Sequence, residues 1–367
     1  MSMPKLIIFS SKFLLITPFI LKKRYKHFSK YAPHFAVGII ILGYFYQMIG
    51  RLINKFTIPS TSIITEHLAL FAISAANASI TTSLILQKRS FRKFSKILTR
   101  LQLILDKYLP GYNIEQKMTL LYITFTSPGT YDSQMQFSAV PIGQYKYIVL
   151  ESILRIRLAV IILYLYSTIN ELYNASKSIN SILRTLCDDS TVIKSFSGAR
   201  NVLQTVRDAT KCYELLENAV NEFNKLYGFP IFCVYMYLMS CFLIAFNLPL
   251  TWDKTFNVGR YTLWGVVYMV FGMASVLLLT SICRKVTNEV NLTTHLSYNL
   301  LQRCSLKTTK DMELYQSVLL LLKCSTWRYP EFTAGGFFLL NNTTVQLFVT
   351  LIVSYVVVLY QFYLIFK

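Results

Sequence analysis

The sequence predicts an all-α polytopic membrane protein with seven transmembrane helices, its N-terminus cytoplasmic and its C-terminus extracellular. Three observations predict this. Of 367 residues, 54% are apolar or aromatic and only 15% are charged, against roughly 25% charged in typical soluble domains. Surface scaling leaves a soluble chain of this size unable to hide so much apolar area. That excludes an ordinary soluble enzyme, a disordered tail and a disulfide-stapled secreted module. The apolar residues also gather into runs of roughly 20, the length that carries a helix across lipid. Finally, the formal net charge of +20 is concentrated beside those runs, where basic residues set orientation and meet anionic headgroups. Membrane lipid, and no nucleic acid, is the expected partner.

Residues 1–34 hold seven basic residues and no acid, with the basic cluster after the apolar part and no small-residue cleavage site. They read as a cytoplasmic segment lying on the membrane surface rather than a signal peptide. Span one covers about 35–53 and span two 62–86, ending at Lys88-Arg89. Span three, 117–139, is weakened by Ser127-Pro128-Gly129. Span four is about 147–172, span five 229–250, span six 261–283 and span seven 339–365. Residues 35–283 thus hold six spans and a long cytoplasmic segment, 173–228, with helical spacing and no Gly or Pro between Asn201 and Tyr227. Residues 284–338 extend helix six past the lipid and add a packed anchor helix around Leu314–Leu322. Residues 339–367 form the last helix. With the N-terminus inside, the inner segments carry 27 basic residues and the outer loops five, the asymmetry that fixes topology.

No catalytic motif is present: there is no Gly-rich phosphate loop, no His-Glu-x-x-His and no Ser/His/Asp set. Four scattered histidines and seven cysteines, none in an outer loop, give no metal-ligand spacing and no expected disulfide. No cofactor is implied, and the expectation is a protein that is not an enzyme. Intramembrane polar groups are the better lead, because each needs a partner or water. Glu66 and His67 sit near the outer end of span two and Asn77 deeper in it. Glu151 and Arg155 are spaced to pair on one helix face, which leaves Arg157 unaccounted for. Trp264 and Tyr268 lie one turn apart in the outer half of span six. A pocket among these helices suits a small organic ligand. The alternative is that the two aromatics belong to the interfacial belt and Glu66-His67 to a helix end.

In the last span, Gln346, Thr350, Ser354, Val357 or Val358, and Gln361 recur every three or four residues and form one stripe. Around a symmetry axis such a stripe lines a narrow pore closed by an apolar ring. Interhelical hydrogen bonding by the same small polar residues is the alternative.

Ser354-Tyr355-Val356-Val357-Val358-Leu359-Tyr360-Gln361-Phe362 resembles the closing signature of insect gustatory receptors, in which Thr-Tyr and five mostly apolar residues precede Gln-Phe. The stretch Phe332-Thr333-Ala334-Gly335-Gly336-Phe337-Phe338-Leu339-Leu340-Asn341 is similar to that family's junction before its last helix. Length, seven spans and long inner segments agree over the whole chain. The resemblance implies a ligand-gated, non-selective cation channel of four subunits, like or mixed, in the plasma membrane of gustatory receptor neuron dendrites, with a small-molecule tastant bound in the outer half of each subunit. It puts Gln361 and Phe362 at the gate and Ser354 and Tyr355 below. Ser replaces Thr at 354 and keeps the hydroxyl. Val356 stands where the sugar-receptor branch resembles a Tyr-Glu pair, which points to bitter or otherwise aversive compounds. Alternatives are an odorant-receptor-type channel, a G-protein-coupled receptor, which needs its N-terminus outside, and a small-solute transporter, which needs internal repeats.

Overall fold

The computed structural model describes residues 42, 43, 45, 60–108, 145–188, 196–251, 258–304 and 309–365. Among them run seven helices and one small hairpin: α1 (Ser60–Leu86), α2 (Lys88–Asp106), α3 (Tyr145–Asp188), α4 (Phe196–Thr251), α5 (Val258–Arg303), α6 (Thr309–Trp327), β1 (Thr333–Ala334), β2 (Phe338–Leu339) and α7 (Asn342–Ile365). Five of the expected spans therefore fall on α1, α3, α4, α5 and α7. Of the span expected at 35–53 only Leu42, Gly43 and Phe45 are described, all helical. The surface segment 1–34 and the span expected at 117–139 lie outside the described residues.

The three longest helices each contain an apolar stretch long enough to cross a membrane, and each continues well beyond it. α3 runs to Asp188 rather than stopping near 172. α4 joins the polar segment and span five into one helix of 56 residues. It passes through Gly228 and Pro230 without interruption, although Pro230 has no N–H to offer the Leu226 carbonyl. α5 carries span six onward to Arg303. In α3 and α5 no Gly or Pro separates the apolar from the polar half, and the Lys, Arg and Glu that follow propagate a helix about as well as Leu does. In α4 the packing on both sides of the junction carries the helix past Gly228 and Pro230.

α4 is the central element and packs against α1, α2, α3, α5 and α6, while α3 packs on α5. α1 lies close on α4 through its run of small residues, with Ala72, Ala76 and Ser79 buried, the pattern that lets membrane helices approach. Deep in the bundle, Phe223 meets Phe94 of α2 with ring centroids 6.3 Å apart and Phe332 at 5.6 Å. Tyr227 and Tyr164 join their hydroxyls at 3.2 Å.

Beyond the apolar stretches, charge and hydrogen bonds hold the bundle. α2 buries Phe94, Ile97, Leu101 and Leu105, one stripe of a strongly amphipathic helix. Its polar side clasps α4 at two points. Lys93 and Lys225 both donate to Glu222, at 2.6 and 3.3 Å. Burial pushes the Glu222 carboxyl up, but the two ammonium groups outweigh it and hold the group below its ordinary value. Asp208 accepts from Tyr108 at 2.6 Å, Gln204 at 2.9 Å and Lys107 at 3.2 Å. Here too burial is the largest single influence and the donors together reverse it, leaving the pKa lowered. Between α3 and α5, Asn180 donates to the Glu289 carbonyl and carboxylate at 2.8 and 2.7 Å and accepts from Thr293 at 2.7 Å.

Candidate functional site

The chain reaches α7 through the hairpin. Two-residue strands pair antiparallel, Thr333 with Leu339 and Ala334 with Phe338, and Phe337 N–H closes the turn on the Ala334 carbonyl at 3.0 Å. Gly335 and Gly336 have φ of 62° and 80°, the pair of positive values a type I′ turn demands and Gly supplies without strain. The hairpin rests on α4. Asn224 donates to the Glu331 carbonyl at 2.6 Å and accepts the Thr333 N–H at 3.1 Å. One turn on, Gly228 leaves no room for a side chain: a Cβ there would lie 2.8 Å from the Gly335 nitrogen. Phe232 stacks on Phe337 with centroids 4.4 Å apart.

α7 begins at Asn342 rather than at 339, because Phe338–Leu339 is a strand and Asn341 caps the helix. The Asn341 Oδ1 accepts the Thr344 N–H at 3.2 Å, while the Asn341 N–H reaches back to the Thr344 hydroxyl at 3.5 Å, a reciprocal arrangement of capping-box type. Only one face of α7 is packed. Thr344, Phe348 and Ile352 are buried, and Phe348 meets Phe242 edge-on at 5.5 Å and Tyr235 at 6.3 Å. On the far side of the helix, Gln346, Thr350, Ser354, Val357, Val358 and Gln361 are all exposed. They share that exposure with Leu347, Val349, Leu351, Val353 and Tyr360, and Gln346 and Thr350 also line a groove against α5. Tyr355 is half-buried at the edge of the packed face. Phe362 is helical, and its side chain lies outside the described residues.

Of the ligand-pocket candidates, Asn77 alone has a described side chain. Asn77 is fully buried: its Nδ2 donates to the Ile73 carbonyl at 2.8 Å and the Leu154 carbonyl at 3.3 Å. Its own carbonyl accepts from Thr81 at 2.9 Å, and Thr81 in turn accepts from the buried Arg157. The guanidinium that the sequence left unplaced thus belongs to a polar seam between α1 and α3; its spacing from Glu151 and Arg155 gave no hint of Thr81, which lies on another helix. Glu66 and His67 are on α1 and Trp264 and Tyr268 on α5, with side chains outside the described residues, as is that of Glu151. α1 and α5 are joined through α3 and α4, which both touch.

Sequence reasoning missed a groove of about 780 Å³ between Leu277–Asn288 of α5 and Asn342–Thr350 of α7. Arg284 and Lys285 line it; in the sequence they register only as charge at the end of a span. Among the described residues no group of His, Cys, Asp and Glu is placed to hold a metal ion.

The profile of the 7tm chemosensory receptor family matches residues 5–366. The chain belongs to this family. As a chemosensory receptor it falls in a receptor class, not an enzymatic one. Its fold is similar to that of the insect olfactory receptor OR5 from Machilis hrabei, with a TM-score of 0.60 over 97% of this chain and 98% of that one at 10% identity. The eugenol complex of the same OR5 aligns over 98% of both chains at 13% identity and a TM-score of 0.49. No curated protein sequence matches. The chemosensory receptor described here shares the all-helical seven-span membrane fold, which agrees with the class read from composition.

Proposed function

We propose that the chain is a gustatory receptor that works as a ligand-gated, non-selective cation channel of four like or mixed subunits in the plasma membrane of gustatory receptor neuron dendrites. α7 lines the pore, and bitter or other non-sugar tastants are the expected ligands. The observation that carries this reading is the exposed polar pair of α7. Ser354 and Gln361 are exposed in the second half of a mostly apolar helix, whereas Gln346 and Thr350, in its first half, line the groove against α5. Polar groups facing lipid are costly without partners, so this pair belongs against water or against its own copies. Val357 and Val358 supply the apolar ring, and Gln361 and Phe362 stand at the gate. Taste is favoured over smell by the Ser354-Tyr355 to Gln361-Phe362 signature, even though the solved neighbour is an olfactory receptor.

In this reading a small-molecule tastant binds among Glu66, His67, Asn77, Trp264 and Tyr268. It shifts the gate only by the difference in its affinity for the closed and open states. The test is Gln361→Ala, read as ligand-evoked current in a screen with and without sibling receptors. Altered permeation or gating at unchanged surface expression is expected. Unchanged selectivity and block would remove α7 from the pore. Epitope tags at both termini of unpermeabilised cells check the orientation, with the C-terminal tag alone expected to stain.

A further inference from the structure

The groove between α5 and α7 carries its two charges toward one end, at Arg284 and Lys285, while the other end is uncharged, with Leu277 and Val349 beside Thr280 and Thr350. On α5 its wall follows a single stripe from Leu277 through Arg284 and Lys285 to Asn288, spanning about 16 Å at the helical rise. α7 runs antiparallel, so Val349 faces the Leu277 end and Asn342 the Asn288 end. No carboxylate lines the groove. Arg284 and Lys285 are exposed and join no ion pair among the described residues. The acid nearest to them on α5, Glu289, is held on another side by Asn180. Residues 261–283 contain no charged side chain, so Arg284 is the first charge α5 presents as it leaves the hydrocarbon, at headgroup level.

We propose that this groove binds an anionic phospholipid of the cytoplasmic leaflet. The choice of leaflet rests on the orientation given above, and only the effect on gating rests on the pore role of α7. The lipid phosphate lies between Arg284 and Lys285, and the Asn288 and Asn342 amides meet the remaining headgroup oxygens. The start of an acyl chain follows Leu277 and Val349. The first turn of α7 adds its partial positive charge to that end. A zwitterionic headgroup brings its own cation against the two basic side chains, so the groove discriminates by headgroup charge. Two such charges favour the anionic lipid by about thirty-fold. One wall is the proposed pore helix, so the bound lipid ties α7 to α5 and biases the gate.

The full chain, purified after reconstitution in phosphatidylcholine with or without phosphatidylserine, is assayed by native mass spectrometry for retained lipid. Wild type is expected to keep phosphatidylserine and to release it with the double change R284Q/K285Q. Val349→Trp, which fills the uncharged end and leaves the charges, is expected to release it too. R89Q/R92Q, on the solvent side of α2, is expected to keep it. Retention by R284Q/K285Q equal to wild type overturns the proposal. So does displacement by soluble glycerophosphoserine alone, which would make the groove a free-anion site. Cross-linking of Ser281→Cys between copies, with no lipid preference, would give the groove to a neighbouring subunit and likewise overturn it. Retention needs no ligand-evoked current: a chain that keeps phosphatidylserine but conducts nothing sinks the channel reading and leaves the lipid site standing.

Discussion

Replacing Gly228 with Ala tests whether the α6–α7 connection sits on α4. The added methyl carbon would lie 2.8 Å from the Gly335 nitrogen and 3.2 Å from both the Gly335 Cα and the Thr333 oxygen. Ordinary contact begins at about 3.5 Å, so the closest approach is about 0.7 Å short. Neither side yields easily. Gly335 is fixed at φ 62° within a closed turn, and Gly228 is deep inside a continuous helix. Overpacking of this kind costs about 1–3 kcal/mol. Ala gains about 0.5–1 kcal/mol over Gly in a helix interior, which leaves a net loss centred on about 1 kcal/mol. Thermal unfolding in detergent, followed by fluorescence-detected size exclusion, should show a lower midpoint. Gly336→Ala is the control: nothing lies within 4 Å, so it reports only left-handed backbone strain at φ 80°. If Gly228→Ala matches or exceeds the wild-type midpoint, helix propensity acts unopposed and the hairpin does not rest on α4.

Asp208 gives a pH dependence. Its folded pKa is lowered, so its stabilisation is present above the unfolded-chain value of about 3.9 and is lost as pH falls through the lower folded value. Asp208→Asn should start less stable at neutral pH, by about 1–2 kcal/mol, and lose less between pH 5 and pH 3 (a window of about two units). Equal acid sensitivity in both proteins would remove Asp208 as the source. Thr81→Val deprives the buried Arg157 of one acceptor at a cost of about 1–3 kcal/mol, while Thr81→Ser should restore the midpoint; a stable Val variant would count against the α1–α3 seam.

Much of the fold was legible. Spans two, five and six were plain as apolar runs because lipid imposes a length, and the polar half of α4 was legible from helical spacing without Gly or Pro between Asn201 and Tyr227, though not its fusion with span five across Gly228 and Pro230. The hairpin was not read as structure. Strands of two residues are too short for alternation, although Gly335-Gly336 is a turn signal in its own right, and Asn341-Asn342-Thr343-Thr344 marks a helix start. Reading them together would have moved the beginning of α7 from 339 to 342. Of the candidate site, the helical course of α7 was legible because periodicity within one helix needs no partner. The contact of Arg157 with Thr81 and the groove at Arg284-Lys285 were not, since each arises only when two helices distant in sequence come side by side.

α3, α4 and α5 span 44, 56 and 46 residues, about 66, 84 and 69 Å as straight rods. Rods of that length act as levers. A tilt of two degrees pivoting at one end of α4 would carry its other end about 3 Å, comparable to the play a side chain has in a tight joint. A small displacement at one end of these rods would therefore arrive at the other as a movement large enough to reseat whatever packs there, with no unwinding on the way.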